Sequence, residues 1–325
     1  MSDPVATAEL IADRGEAAVS EDFFRSRPFL DAEAVTHTLR IASAGAELLA
    51  PLIVRRIGEG PELDAISPYG YPGLAVPGGA AEIDHAPVGS TSDAPLEPAN
   101  VDFSATGLVT AFIRHTLGEP PLAGASERNV VQIADPELPR KSRASDRNQI
   151  NKNLRNGYEL RLVPGPRTTA AERAGFLVAY EQTMRRTGAS ERYFFGAAYF
   201  DRILASDRTW LALARAPGGE IAAASIAARS DGHLHYYLSG SADSHLRDSP
   251  MKNVVAALVD FSTEQGLPLN LGGGISRGDR LEEFKRGFAN REQAWLSSEI
   301  VCDEAAYARL SAGHDAGSFF PAYRA

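Results

Sequence analysis

The order of predicted elements in the second half of the chain constrains its fold more than any other feature of the sequence. A strand is predicted at 158–163, followed by helices at 168–186 and 199–205. Three adjacent strands, a helix, a strand, a short helix and a last strand are then predicted at 210–215, 220–229, 233–239, 251–265, 267–271, 281–288 and 293–301. Adjacent strands followed by a strand–helix–strand return are typical of helix-covered mixed sheets, so we predict an α/β (α+β, mixed-sheet) fold.

The first half has a less regular pattern. A strand is predicted at 48–56, a long loop rich in Gly and Pro at 73–98, and a helix at 101–117. The chain has 325 residues, more than a typical single domain, which favours two lobes. We place the boundary near Pro139, so that residues 1–139, joined by 300–325, form one lobe and residues 140–299 form the other.

A basic stretch opens the second lobe. Between residues 140 and 161 lie seven positive side chains and two negative ones, in a chain of net charge −9. Ile150 and Leu154 give this stretch one apolar stripe, which predicts a helix that ends near Gly157. The stretch is either a solvated helix face or a phosphate-binding surface, and its local excess of positive charge favours phosphate. The candidate phosphate ligands are Lys141, Arg143, Arg147, Lys152 and Arg155.

A glycine run, Gly272, Gly273 and Gly274, precedes the short helix at 281–288. It has neither the Lys-Ser/Thr of a phosphate-binding Walker loop nor the long helix of a dinucleotide site. It is either a tight turn that lets the backbone pack closely against a neighbouring segment, or the floor of a substrate channel. In the helix, Phe284 and Lys285 are either a core anchor and a solvated charge, or a channel wall and a cation placed to stabilise an oxyanion.

Two further groups of residues are candidates for substrate binding. The segment 67–73, Ser-Pro-Tyr-Gly-Tyr-Pro-Gly, is a loop that presents Tyr69 and Tyr71. Their rings either stack on a substrate or pin a surface loop to the core. Arg185 and Tyr193 follow the first long helix of the second lobe and belong either to an anion site or to an ordinary polar loop.

These motifs and the order of elements resemble the Fem-type branch of the GNAT (N-acetyltransferase) superfamily across roughly residues 45–300. The resemblance implies two tandem GNAT-like lobes. A Phe-Lys pair lines the catalytic channel in that family, and Phe284-Lys285 stands in the equivalent place. The family's tyrosine-containing loop contributes to an acceptor pocket between the lobes, which implicates Tyr69 and Tyr71. An Arg and a Tyr of the second lobe bind the acceptor's anionic groups, for which Arg185 and Tyr193 are the candidates.

The resemblance implies an aminoacyltransferase that moves an aminoacyl group from a charged tRNA to the amine of a peptide-like acceptor. That acceptor is a cell-wall precursor or a peptide natural product, and Lys285 is the expected oxyanion stabiliser. The alternative within the superfamily is an acyl-coenzyme-A-dependent N-acyltransferase. Those enzymes carry a Gln/Arg-x-x-Gly-x-Gly/Ala turn for pyrophosphate. The equivalent segment here, 239–250, lacks it and contains Asp243 and Asp248, which favours the tRNA donor.

Charge and composition set further expectations. The acidic net charge argues against a general nucleic-acid coat, so we expect no DNA partner. No apolar run is long enough to span a membrane, and the start of the chain lacks a signal core, which predicts a cytoplasmic protein. The single cysteine cannot form an internal disulfide. The histidines lack His-x3-His and His-x2-Cys spacing, and His233 and His235, which share one face of a strand, are either a metal pair or part of a polar strand face, which we favour. We expect a monomer with no cofactor beyond the acyl donor and no metal.

Overall fold

The computed structural model describes residues 6–43, 46–76, 96–118, 122–315, 317 and 319–325. It divides into two compact units, one made of residues 1–128 with 295–325 and the other of residues 129–294. Each unit combines helices with a sheet that has both parallel and antiparallel pairs, which confirms the predicted α/β class. Residues 77–95, the larger part of the predicted long loop, lie outside the described residues.

The elements follow one another in chain order. The strands are β1 Ala6–Ile11, β2 His37–Ser43, β3 Ala46–Arg56, β4 Leu63–Ile66, β5 Val101–Asp102, β6 Leu108–Arg114, β7 Ser126–Ala134, β8 Glu159–Pro164, β9 Thr209–Arg215, β10 Ile221–Ser230, β11 His233–Ser241, β12 Leu269–Asn270 and β13 Arg291–Val301. The α-helices are α1 Arg27–Ala32, α2 Ala144–Arg155, α3 Ala170–Thr187, α4 Ala197–Leu204, α5 Met251–Glu264, α6 Arg280–Arg286 and α7 Glu304–Ser311.

The first unit contains a sheet in the order β5-β1-β2-β3-β4-β6, continued by the part of β13 from residue 295 onward. The prediction of a helix at 101–117 is wrong, because this segment forms β5 and β6. Every residue from Leu108 to Ile113 is buried, as in a strand that is covered on both faces. Such an apolar run has no period that separates strand from helix, and pairing with β4 and β13 decides the outcome.

A buried carboxylate fixes the C-terminal end of the chain to this sheet. The Asp64 side chain is completely buried in β4 and accepts hydrogen bonds from Arg55 Nε at 2.9 Å and Arg324 Nη2 at 3.0 Å. Arg324 Nη2 also donates to the carbonyl oxygen of Arg56 at 2.7 Å. The Arg324 side chain keeps 26% of its surface exposed and the Arg55 side chain 33%. Asp64 is therefore a buried charge that depends on both partners.

The second unit follows the predicted order of elements. Its sheet runs β7-β12-β11-β10-β9-β8. α3 packs on β10 and β11, and α5 contacts all the strands from β8 to β12. α3 begins with a capping box in which Thr169 and Glu172 satisfy each other's backbone N–H groups. Gly240 in β11 lets α3 approach, because a Cβ there would lie 2.4 Å from the backbone nitrogen of Tyr180.

The unit boundary lies at residue 128, whereas the sequence placed it near Pro139. The difference arises because β7, which ends before Pro139, pairs with β12 at Ala134↔Leu269 and Ile133↔Asn270. At the other end of the second unit, β13 changes unit between Ala294 and Trp295. Across the described ranges, no helix combines the length and the apolar character needed to cross a membrane.

Candidate active site

The second unit has a gap between two neighbouring parallel strands. β11 and β12 pair only at Leu234↔Leu269 and His235↔Asn270, although β11 continues to Ser241. After Asn270 the chain no longer pairs with β11 but still pairs with β7, on the opposite edge of β12, since Leu271 N–H donates to the Gln132 carbonyl at 2.9 Å. We call the space between β11 residues 236–241 and the glycine run the strand gap. An extended ligand with amide groups can pair with strand edges of this kind.

A β-bulge lies on the β11 side of the strand gap. Ile226 of β10 is opposite Leu238, but Ala227 is opposite Tyr236, so Tyr237 is the extra residue in β11. A bulge takes one backbone N–H out of the regular ladder and often lies beside an active site. The Tyr237 hydroxyl is 2.8 Å from that of Tyr199 in α4. No signal in the sequence marks this bulge.

Lys285 contacts the glycine run that borders the strand gap. Its Nζ donates a hydrogen bond to the carbonyl oxygen of Gly273 at 2.6 Å, and only 8% of the residue is exposed. Burial lowers the pKa of Lys285 to about 8, and the negative charge of Asp279 opposes part of that change. The structure therefore brings together two features that the sequence singled out separately, the glycine run and the lysine.

The glycines permit the close packing at this point. Gly272 has a φ of +73°, and a Cβ there would be 3.1 Å from Lys285 Nζ. At Gly273 a Cβ would be 2.7 Å from the Val130 carbonyl oxygen, and at Gly274 it would be 2.5 Å from Asp279 Oδ1. Real Cβ atoms do not come within 3.0 Å of backbone oxygens, so Gly273 and Gly274, whose Cβ would be 2.8 Å from the Ser276 carbonyl oxygen, are needed for this close packing.

The start of α6 provides a fixed negative charge near the lysine. Asp279 caps the helix, with Oδ1 accepting from Glu282 N–H at 2.8 Å and Oδ2 accepting from Ile275 N–H at 2.7 Å and Ser276 N–H at 3.0 Å. Burial raises the pKa of Asp279, but these backbone hydrogen bonds outweigh it and hold the pKa below its ordinary value. Sequence reasoning missed Asp279, although Asp-x-x-Glu is a recognisable helix start.

Phe284, predicted beside Lys285, contributes mainly to packing. Its ring is half-buried, lies 5.6 Å from the Phe288 ring in an edge-on arrangement, and packs against the core of the unit. Leu281, on the same helix, is 40% exposed. Phe284 and the Phe288 that follows the helix thus anchor it to the core, and this anchoring holds Lys285 toward the glycine run.

The predicted phosphate ligands lie on and just before α2, and all five are exposed. Arg143 Nη2 donates to the Glu283 carbonyl at 3.3 Å, and Arg147 donates to the carbonyl of Ser142. A cavity of about 510 Å³ lies between α2 and α5. Its wall carries Lys141, Arg147 and an ion pair between Arg140 and Asp260, and its apolar part includes Ile150, Val259 and Phe288. Lys152 and Arg155 do not line this cavity.

The segment predicted to correspond to a pyrophosphate loop is held by the chain's own side chains. It forms a 3-10 helix at Asp243–Asp248 before α5. The Asp248 carbonyl accepts from Gln149 Nε2 at 3.0 Å and Asn153 Nδ2 at 2.8 Å, and its carboxylate accepts from the Tyr158 hydroxyl at 2.9 Å. A carboxylate stands here where a pyrophosphate would need N–H donors.

The predicted acceptor residues fall in different units. In the first unit, the Tyr71 ring lies 5.5 Å from the rings of both Phe24 and Trp295, and Tyr69 N–H donates to Glu33 Oε2 at 2.9 Å. Both tyrosines are half-buried.

In the second unit, Arg185 is exposed on α3 and pairs with Glu181 at 2.7 Å. The Tyr193 carbonyl accepts from the Tyr180 hydroxyl at 2.6 Å, and the guanidinium of Arg192 lies 4.9 Å from the Tyr193 ring. Arg185 thus pairs within α3, and the backbone of Tyr193 is bonded to the same helix.

Replacing Gly272 with alanine tests the contact between the glycine run and the lysine. Gly278 is a matched control, because its φ of +78° is almost the same but nothing lies within 4 Å of its would-be Cβ. Both alanine variants are expected to lose about 1–2 kcal/mol of stability from the left-handed backbone. Only Gly272→Ala is expected to lower kcat, by about tenfold or more, because its methyl group displaces Lys285 Nζ.

Denaturant unfolding and steady-state kinetics on both variants measure the two effects separately. Equal kcat values for Gly272→Ala and Gly278→Ala would contradict a functional role for the contact.

The geometry can be set beside known proteins. Residues 140–286 match the family described as an acetyltransferase (GNAT) domain. FemX aligns with 84% of this chain and 90% of its own at 11% identity, with a TM-score of 0.56. The C-terminal domain (DUF2156) of a putative lysylphosphatidylglycerol synthetase from Agrobacterium fabrum aligns with 90% of this chain and 93% of its own at 14% identity, with a TM-score of 0.54. A search of curated proteins returns no match. The resemblance seen in the sequence is thus confirmed as a fold, and residues 140–286 are similar to an acetyltransferase (GNAT) domain.

Proposed function

We propose that this GNAT-type acyltransferase moves an aminoacyl group from a charged tRNA to the amine of a peptide-like acceptor. One observation carries the proposal: a buried lysine, Lys285, is held by the carbonyl of Gly273 at the edge of the strand gap. Burying a cation costs folding free energy, and lysines whose pKa is perturbed by burial cluster at functional sites. The fold similarity to FemX agrees with the proposal without deciding the donor.

The chemistry follows from the charge that appears during the reaction. The acceptor's neutral amine attacks the carbonyl carbon of the aminoacyl ester and forms a C–N bond, and the carbonyl oxygen becomes an oxyanion. With a pKa of about 8, Lys285 is about nine-tenths protonated at pH 7, so its ammonium is available to that oxyanion. The C–O bond to the tRNA then breaks, and the proton that the amine loses passes to the leaving 3′-oxygen. The products are an amide and an uncharged tRNA.

The choice of donor depends on how phosphate is held. A tRNA brings many phosphates, which suits the exposed cations of α2 and the basic wall of the 510 Å³ cavity. Coenzyme A needs its pyrophosphate at the start of α5, where Asp248 is bound by Tyr158 and Asn153. The contacts around Asp248 therefore favour the tRNA. The match to an acetyltransferase (GNAT) domain favours the second candidate, an acyl-coenzyme-A-dependent N-acyltransferase.

Incubation with a complete pool of charged tRNA carrying labelled amino acids distinguishes these candidates. We expect label to pass to an amine acceptor such as a peptidoglycan-precursor peptide, and titration calorimetry with coenzyme A to give no saturable heat. Transfer from acyl-coenzyme A, with saturable coenzyme A binding and no transfer from any charged tRNA, would replace the proposal with the second candidate.

The double variant Lys141→Ala/Arg147→Ala tests whether the cavity wall contacts phosphates. We expect KM for the charged tRNA to rise while kcat is little changed, because both side chains are placed to bind and not to react. The dependence of log KM on log salt concentration should become shallower by about one to two. Kinetics at several salt concentrations measure both effects.

Arg167→Ala is the control for this pair, since Arg167 is an exposed arginine of the same unit outside α2. An unchanged salt dependence in the double variant would show that the wall does not bind the donor's phosphates.

A further inference from the structure

A line of hydrogen bonds connects the end of β10 with the glycine run. His235 is 2% exposed, its Nε2 is 3.2 Å from the Ser230 carbonyl oxygen, and its Nδ1 is 3.1 Å from Asn270 Nδ2. A carbonyl only accepts and an amide nitrogen only donates, so these two contacts together fix the tautomer. Nε2–H donates to Ser230 and Nδ1 accepts from Asn270. Burial lowers the pKa of His235 to about 3, which is consistent with a neutral ring.

Asn270 passes this constraint to the glycine run. It is 1% exposed, and with its nitrogen held by His235 its oxygen points the other way, where Oδ1 accepts from Gly272 N–H at 2.8 Å. His235 and Gly272 therefore select the same orientation of the amide, since a reversed amide would face the Gly272 N–H with its own N–H group and the His235 Nδ1 lone pair with its oxygen.

The peptide groups of Gly272 and Gly273 connect Asn270 to the lysine. The Gly272 carbonyl accepts from Gln132 N–H at 3.1 Å, which ties the run to β7. With Gly272 held at both its N–H and its carbonyl, the following carbonyl, that of Gly273, is aimed at Lys285 Nζ. Gly272 itself is in the left-handed region, where the chain has little to hold it apart from these bonds.

We infer that Asn270, oriented by His235, is a positioning residue that holds the glycine run so that the Gly273 carbonyl keeps the Lys285 ammonium at the strand gap. Its catalytic meaning rests on the proposed function, but its structural content does not. Neither residue touches the reacting atoms, and both act through Gly272 and Gly273. The expected signature is a change in the chemical environment of Lys285 when the side chain of Asn270 is changed.

The test measures Lys285 directly, without substrate. Competitive labelling with an amine reagent, read by mass spectrometry across a pH series, gives the apparent pKa of Lys285 in the full chain. In Asn270→Ala the run is released and Lys285 reaches water. Its apparent pKa is then expected to rise by at least one pH unit toward the ordinary value of about 10.4.

Two further variants separate positioning from general loss of stability. Asn253 is also completely buried in the same unit, and its side-chain amide forms hydrogen bonds with Asn153 and with the Ile150 carbonyl. Asn253→Ala should therefore destabilise the unit but leave the apparent pKa of Lys285 unchanged. His235→Phe keeps the Asn270 side chain but removes the acceptor for its amide N–H, so it should raise the apparent pKa of Lys285 as Asn270→Ala does.

An Asn270→Ala chain that folds and keeps the parent labelling curve would overturn the inference, as would an equal change in Asn253→Ala. If Asn270→Ala does not fold, His235→Phe, which leaves the amide without its orienting partner, is compared with Asn253→Ala. The inference then requires a raised apparent pKa of Lys285 in His235→Phe alone, and equal curves in these two variants would overturn it. A changed labelling curve together with full transfer activity in Lys285→Ala would retain this inference and refute the proposed function.

Discussion

Replacing Lys285 with alanine is expected to lower kcat for aminoacyl transfer by about 10²–10³-fold, with a much smaller change in KM. This is the usual cost of removing one group that stabilises an oxyanion, because the interaction exists in the transition state and not in the bound substrate. The ammonium is already held in place by the Gly273 carbonyl, so little reorganisation is needed during the reaction. Steady-state kinetics with charged tRNA measure the effect.

The pH dependence of kcat shows whether Lys285 acts as a charged ammonium or as a neutral amine. Lys285 has a pKa lowered to about 8 by burial, so the parent's kcat should fall as pH rises through about 8, where the ammonium loses its proton. Lys285→Arg keeps its charge at all these pH values, and any activity that it retains should not show that fall. A rise in kcat through pH 8 that the parent shows and Lys285→Arg lacks would instead mean that the neutral Lys285 amine acts as a base, and would contradict the oxyanion role.

Unfolding is not expected to explain the loss. Below about pH 8 the folded chain keeps a buried ammonium that the unfolded chain would hold in water, so the lowered pKa is a cost to folding. Lys285→Ala should therefore be close to the parent in stability at pH 7, the lost packing being offset by the removed charge. Arg229→Ala, which changes an exposed cation at the end of β10, is the control and should keep full activity.

The largest effect on stability is expected from Asp64→Ala in the first unit. The change removes the acceptor for Arg55 and Arg324 and leaves two arginines facing each other beside β4. Breaking a buried ion pair commonly costs 3–5 kcal/mol, and because both arginines are partly exposed we expect about 2–4 kcal/mol. The C-terminal segment should also be released, since Arg324 loses one of its attachments.

The two tryptophans allow each unit to be followed separately. Trp295 lies in the first unit and donates from Nε1 to the His115 carbonyl at 3.0 Å, while Trp210 lies in β9 of the second unit. In a Trp210→Phe background, denaturant unfolding of Asp64→Ala should show an earlier Trp295 transition. In a Trp295→Phe background, the Trp210 transition should stay where it was. A Trp295 transition that does not move would mean that Asp64 contributes little.

Local patterns predict the second unit well because its elements alternate and carry clear end signals. The helix over 170–187 has its capping box and its closing Gly188, and α6 begins within one residue of its predicted start. The same logic fails at Leu108–Ile113, where a continuous apolar run has no distinguishing period and only partners far along the chain make it a strand.

The candidate site is predictable in residue type but not in arrangement. Lys285 and the glycine run are both visible in the sequence, and only packing shows that one donates to the other. The bulge at Tyr237 and the orientation of Asn270 by His235 depend on register and on side-chain contacts across strands. Register is set by the whole sheet, which a local window of sequence does not contain.

The order in which the two units occupy the chain has a consequence for their synthesis. Residues 129–294 are one continuous stretch, but the first unit needs residues 295–325 as well. A ribosome adds residues at about 5–20 per second, so the first 128 residues wait on the order of ten seconds for their last strand. During that time β6 has no β13 beside it, and the Asp64 carboxylate has no Arg324. The unit made second can finish folding first, and the nascent N-terminal unit is the part most in need of a chaperone.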